Sequence, residues 1–238
     1  MASKPSGKKT SKGGGAPGRN KGARNMRVRV KTAKGRTTSS KAWLERQLND
    51  PYVVAAKDAG LRSRAAFKLI EIDDRFKFIK KGNKVLDLGA APGGWCQVSA
   101  QRAGPKGSVL GVDLQEIDPL PGVELMLLDF LADDAIERIL ERLDGKVNVV
   151  LSDMAASSSG HRQTDHMKIM ALCEAALDFA CQITEPGGAF CAKVLQGGAE
   201  VQLLKDMRKH YEVVRHVKPE ASRKDSSEMY VLAMGFKG

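Results

Sequence analysis

The stretch VLDLGAAPGGWCQ, Val85–Gln97, decides the fold. An apolar run ends in a carboxylate, Asp87, and glycine or proline fills four of the seven positions Gly89–Trp95. An amphipathic pattern follows. Strand, tight turn and helix in that order form the first half of a nucleotide-binding βαβ unit. The turn GAAPGG is not G-x-G-x-x-G, and no Lys-Ser/Thr pair follows it, which argues against a Walker phosphate loop. Main-chain N–H groups at a helix start attract anions, but Asp87 beside them would repel a pyrophosphate. A ligand with a cationic end and no phosphate suits the turn better. S-adenosylmethionine, with its ammonium and sulfonium, is such a ligand.

Moving outward, apolar runs alternate with helical patterns. The runs are Lys84–Leu88, Ser108–Asp113, Glu124–Leu128, Val147–Ser152, Ala189–Leu195, Val213–Val217 and Met229–Met234. Helical spacing is expected over Gly94–Arg102, Asp133–Leu143, Asp165–Ile183 and Val201–Tyr211. Upstream, Asp50-Pro51 reads as an N-cap with proline at the first helical position, and Gly60 closes that helix. A further helix starts near Ser63, with Ala65, Leu69, Ile72 and Phe76 on one face. This alternation predicts an α/β fold: a Rossmann-like, seven-stranded, mostly parallel sheet with helices on both faces. Only a short polar segment separates the last two runs, so they are expected to pair antiparallel, giving a final antiparallel strand.

In such sheets ligands sit beyond the carboxyl ends of the parallel strands. Asp113 ends the second run, where an acidic side chain commonly accepts ribose hydroxyls. Asp129 follows the third, within reach of an adenine amino group. Asp153 follows the fourth. Lys193 lies inside an apolar run, a costly place for an ammonium unless it is paired or neutral. Glu228 opens the last run, and an antiparallel strand starts at the rim where its neighbours end. Glu228 therefore falls on the same edge as Asp153 and Lys193. Periodicity does not single out Lys68, which lies beside the apolar stripe of its helix.

Charge is concentrated at the N-terminus. Of the net +11, residues 1–40 contribute twelve Lys/Arg and no Asp or Glu, leaving 27 basic against 28 acidic residues in 41–238, a net of −1. Residues 1–38 are also rich in Gly, Ser and Pro, so a disordered basic arm is expected before a folded domain at 39–238. Such an arm neutralises nucleic-acid phosphates without reading sequence. No secretory signal is visible, and no apolar stretch is long enough to span a bilayer. Cys96, Cys173, Cys181 and Cys191 show no C-x-x-C spacing, in keeping with buried thiols in a reducing cytoplasm. The segment GHRQTDH, Gly160–His166, lacks a further ligand set, so no metal is expected. It reads as a polar RNA-contacting loop, with Asp165 capping the helix that follows. His210 and His216 read as surface residues.

Five motifs together, SRAAFKL (Ser63–Leu69), DLGAAPGGW (Asp87–Trp95), LSDMA (Leu151–Ala155), KVLQG (Lys193–Gly197) and SRKDSSEMY (Ser222–Tyr230), resemble the FtsJ/RrmJ family of ribosomal RNA 2′-O-ribose methyltransferases. The resemblance covers about residues 39–238. It implies a class I S-adenosylmethionine-dependent fold and a catalytic set at Lys68, Asp153, Lys193 and Glu228. It implies cofactor contacts at Gly93, Trp95, Asp113, Asp129 and Asp153, and no metal. It implies as substrate a uridine ribose in the A loop of large-subunit (23S) RNA, within the assembled 50S subunit. One departure is Ala156, where the family pattern has proline. The chemistry fits these residue types. A ribose 2′-hydroxyl is a weak acid that must lose a proton as it attacks, and a neutral lysine can accept it. A second ammonium close by favours that neutral form, while carboxylates pull the other way and fix geometry. Lys193 is the expected acceptor, Lys68 its electrostatic partner, and Asp153 and Glu228 the positioning groups. Other readings are methylation of a transfer RNA anticodon loop, a ribosome-assembly factor without turnover, and a nicotinamide dehydrogenase. Asp87 and the missing G-x-G-x-x-G disfavour the last.

Overall fold

The computed structural model describes residues 38–155, 160–197 and 200–238. The chain divides into two compact units, residues 1–49 and 50–238. Residues 1–37 of the basic arm lie outside the described residues, as does Ala156. In the first unit the described element is a helix, α1 (Thr38–Leu48).

The second unit contains thirteen elements among its described residues. They are α2 (Pro51–Asp58), α3 (Ala65–Phe76), β1 (Lys84–Leu88), α4 (Gly94–Ala103), β2 (Ser108–Asp113), β3 (Glu124–Leu127), α5 (Ala135–Arg142), β4 (Val147–Ser152), α6 (Arg162–Ile183), β5 (Thr184–Leu195), α7 (Glu200–His210), β6 (Tyr211–Val217) and β7 (Glu228–Phe236). One seven-stranded sheet has the order β3-β2-β1-β4-β5-β7-β6. The pairs β1–β2, β1–β4, β2–β3 and β4–β5 are parallel. β7 inserts antiparallel between β5 and β6. The Rossmann-like α/β reading and the antiparallel final strand both hold.

Burial explains these elements. The central strands β1, β2 and β4 bury both faces, so they lack polar alternation, whereas β3 and β6 are partly exposed. Leu86, Leu88, Val150, Phe190 and Val231 pack on one side with Ile139, Met170 and Leu177 from α5 and α6. Val85, Val149, Leu151, Cys191 and Leu232 pack on the other with Ala66, Leu69 and Ile72 of α3 and Trp95 and Val98 of α4. Asp50 caps α2 as expected, its carboxylate accepting the N–H of Tyr52 at 3.0 Å, with Pro51 at the first position. The helix ends at Ala59, and Gly60 takes a positive φ of 67° just beyond.

Three boundaries differ instructively. β5 begins at Thr184 rather than Ala189, absorbing Glu185-Pro186-Gly187-Gly188 despite its proline and two glycines. The third strand stops at Leu127, so Asp129 stands two residues past it. α6 starts at Arg162, not Asp165, and the N–H of Asp165 already donates to His161 O at 2.9 Å. Asp165 is therefore not the cap. It sits inside the first helical turn, where a negative charge complements the helix dipole.

Candidate active site

Strand register assembles the site. Leu88 pairs with Ser152, Ser152 with Ala192, and Ala192 with Val231. The next residues along β4 and β5 are Asp153 and Lys193, and Lys193 is paired with Tyr230. Two residues further, Leu195 is level with Glu228. Parallel strands and one antiparallel neighbour thus bring Asp153, Lys193 and Glu228 to a single rim, as expected. α3 crosses that rim on the face of Ala66 and Leu69, and its Lys68 points in from the fourth helical position.

Each of the two lysines contacts both carboxylates. Lys193 Nζ donates to Asp153 O at 2.9 Å and lies 3.2 Å from Asp153 Oδ1 and 3.9 Å from Glu228 Oε1. Lys68 Nζ lies 3.4 Å from Glu228 Oε2 and 3.8 Å from Asp153 Oδ2. Each ammonium bridges the same two carboxylates, so the set is neutral when all four are ionised. Lys68 and Lys193 are only 7% and 6% exposed, which the pairing makes tolerable. Glu228 is the most open of the four, its side chain 33% exposed.

Tyr230 belongs to this group and sequence reasoning missed it. Its hydroxyl donates to Asp153 Oδ1 at 2.7 Å, and Lys68 Nζ stands 5.4 Å from its ring centroid. Burial, then the Asp153 carboxylate, holds its phenol well above the usual range, so it remains a donor. A tyrosine in an apolar strand carries a core pattern, and only its register opposite Lys193 could have flagged it.

The turn after β1 forms the neighbouring half. Gly93 caps α4 at φ 100°, and a Cβ there would stand 2.6 Å from Leu120 Cδ1. Gly89, at φ 74°, is closed in by Met154. Both positions need glycine for conformation and for space. Asp113 Oδ2 accepts the N–H of Ala91 at 2.8 Å and its Oδ1 that of Gln115 at 2.9 Å, tying the end of β2 to the turn. Asp129 is exposed and accepts the N–H of Leu131 at 3.0 Å. Trp95 is buried. Its indole donates to Ala65 O at 2.8 Å, and its ring packs 5.6 Å from that of Tyr230. The indole is thus committed to packing. Its main-chain N–H, in the first turn of α4, is the group left for a ligand.

Asp87 is almost fully buried, and one oxygen accepts from the Cys96 thiol at 3.1 Å. The other oxygen has no partner among the described residues. Burial raises this carboxyl to about 7; the thiol opposes the rise, and Asp153 and Asp113 add to it. An orphaned, reluctantly ionised oxygen beneath the turn is a fit for a cationic ligand group. Arg62 is a second residue that the sequence did not single out. Its guanidinium donates to Asp118 O at 2.6 Å, Pro119 O at 2.7 Å and Pro92 O at 3.2 Å. It thereby joins the glycine turn to the segment that follows β2.

Cys96, Cys173 and Cys191 are buried and Cys181 half-buried, all as free thiols. His210 and His216 are exposed. Among the described residues no three His, Cys, Asp or Glu side chains converge as metal ligands, and no helix is long and apolar enough to cross a membrane.

An open α/β sheet with a glycine turn after β1, an acid closing β2 and an inserted antiparallel β7 defines a Rossmann-like methyltransferase. The FtsJ-like methyltransferase family matches residues 61–236, and the chain belongs to it. Among similar curated proteins is ribosomal RNA large subunit methyltransferase E of Parvibaculum lavamentivorans, 57% identical over 91% of this chain and 89% of that one. The protein of the same name from Roseobacter denitrificans is 54% identical over 100% and 99% of the two chains. A crystal structure of a ribosomal RNA methyltransferase from Plasmodium falciparum superposes with a TM-score of 0.68 at 30% identity, covering 74% of this chain and 99% of that one. The chain is an enzyme of the methyltransferase class, and its family implies a methyl donor of the S-adenosylmethionine type.

Proposed function

We propose that this protein transfers a methyl group from S-adenosylmethionine to the 2′-hydroxyl of a uridine ribose in the A loop of 23S ribosomal RNA, acting in the cytoplasm on the assembled 50S subunit. The observation that carries it is the convergence of Lys68, Asp153, Lys193 and Glu228 at the carboxyl rim of the sheet, each ammonium within 4 Å of both carboxylates. The relatives' names support ribosomal RNA over the anticodon-loop and assembly-factor alternatives. The domain from residue 39 would carry the chemistry, and the basic arm at 1–38 would add phosphate affinity.

The cofactor residues fit the donor. Asp113 and Asp129 would take ribose and adenine, the Gly93 and Trp95 main chain would line the turn, and Asp87 and Asp153 would face the cationic end. When bound, the donor supplies a methyl already activated by its sulfonium. The protein's task is then the ribose hydroxyl. Lys193, in its neutral form, takes the hydroxyl proton as the oxygen attacks. Lys68 orients that oxygen and stabilises the charge growing on it. Asp153, braced by Tyr230, and Glu228 hold both lysines in line, and placement supplies much of the acceleration.

Arginine at position 193 keeps the charge but cannot give up a proton at working pH. Lys193→Arg is therefore expected to lower kcat on 50S subunits lacking the modification more than about a hundredfold, with S-adenosylmethionine affinity within about threefold. Retention of near wild-type kcat by Lys193→Arg would exclude Lys193 as the proton acceptor.

A further inference from the structure

Beyond the tetrad, the same rim holds a cavity of about 460 Å³. It opens where β5 and β7 begin to part: Gln196 N donates to Ser227 O at 2.9 Å, one step past the Leu195–Glu228 pair. The first turns of α6 close the other side, with Gln163, His166 and Met167. Lys193 is two residues back along β5, about 7 Å at strand rise.

We infer that this cavity is a nucleobase subsite that seats the base at the methylated ribose, with His166 reading its edge. Four features point to a base rather than to a phosphate or a peptide. Among the described residues the lining carries no Lys, Arg, Asp or Glu, which suits a neutral ring. Met167, 64% exposed, and Leu195 present apolar surface to a ring face. Gln163, Gln196 and Ser227 offer donors and acceptors for a ring edge. His166 Nε2 is buried and has no hydrogen-bond partner among the described residues, an unfavourable state that a ligand would relieve. The ring is also held in place: a Cβ on Gly197 would stand 2.8 Å from His166 Cε1, so glycine there lets the imidazole lie against the main chain. The size suits a nucleoside. RNA is read mostly through splayed-out bases stacked on side chains and hydrogen-bonded at their edges, which this lining allows.

The inference rests on the ribose-methylation reading, and kinetics separate the two. On 50S subunits lacking the modification, His166→Ala is expected to raise KM for subunits about tenfold, the loss of one base contact. Its kcat is expected to stay within about twofold, and calorimetric affinity for S-adenosylmethionine should not change. Met167→Ala, at an exposed side chain, should act in the same direction even if His166→Ala folds poorly. Uridine, but not ribose 5-phosphate, should shift the His166 ring resonances of the full chain. A wild type that methylates subunits while both variants keep its KM, or equal shifts by the two small molecules, overturns the subsite. A wild type that leaves the subunits unmethylated brings down the activity and the subsite together.

Discussion

Asp87 shows how one carboxylate can be both a cost to the apoprotein and an asset to the complex. Its folded carboxyl titrates near 7 rather than at 3.8, chiefly through burial. At pH 5.5 the free protein therefore holds it largely protonated. A cationic ligand prefers the ionised form, lowers its pKa in the complex and expels the proton. Affinity must then rise with pH until the free protein's own titration is passed. The donor's amino group keeps its charge below pH 7, so it does not blur the window. Titration calorimetry from pH 5.5 to 7 should show S-adenosylmethionine affinity rising about tenfold, with proton release. Asp87→Asn should flatten the profile; a flat profile in the wild type would place the cation elsewhere. Asp87 itself was legible because an acid leading into a glycine turn contradicts phosphate binding. Its thiol partner was not, since Cys96 carries only the pattern of a small apolar residue. Lys193 was legible for the opposite reason, as a charge where only apolar side chains belong. Lys68 needed the family resemblance, because a lysine beside a helical stripe is ordinary until the fold buries it.

Elements were legible where both faces of a strand are buried or where one face of a helix is. The runs from Lys84, Ser108 and Val147 coincide with their strands for this reason. Main-chain pairing without side-chain pattern was not legible, and so Thr184–Gly188 joins β5 despite its proline and glycines. Loops tied by side chains were equally hidden. Arg62 satisfies three carbonyls on two segments that approach only in the folded state. Those segments are the turn proposed to take the donor and the loop after β2, and Gln97 Oε1 fixes the Arg62 main chain by accepting its N–H at 2.7 Å. Arg62→Ala removes charged donors from three acceptors, each contact worth about 1.5–3 kcal/mol to a charged group, although water recovers much of this at an exposed site. The expected result is KM for S-adenosylmethionine raised about tenfold, with kcat changed far less and the unfolding midpoint shifted by only a few degrees. A collapse of kcat at unchanged KM would show that Arg62 serves the RNA instead.

At the scale of the molecule, the charge is partitioned between two jobs. Residues 41–238 are near neutrality, and the arm holds the excess of twelve cations. A tetrad that is itself neutral when ionised adds no long-range attraction for RNA, so the near-neutral domain must rely on contacts at the rim for selectivity. Long-range attraction then falls to the arm, whose cations displace counterions from phosphates and contribute to affinity without reading a base. Deleting residues 1–37 should therefore weaken binding to 50S subunits most at low salt. The slope of log affinity against log salt should become shallower, by several units if most of the twelve cations engage phosphate. At saturating subunits kcat should hold within about twofold, and the methylated position should not move. An unchanged slope would assign the electrostatic attraction to the folded domain. A shifted methylation site would mean that the arm selects the target, and the cavity beside His166 would lose its claim to that role.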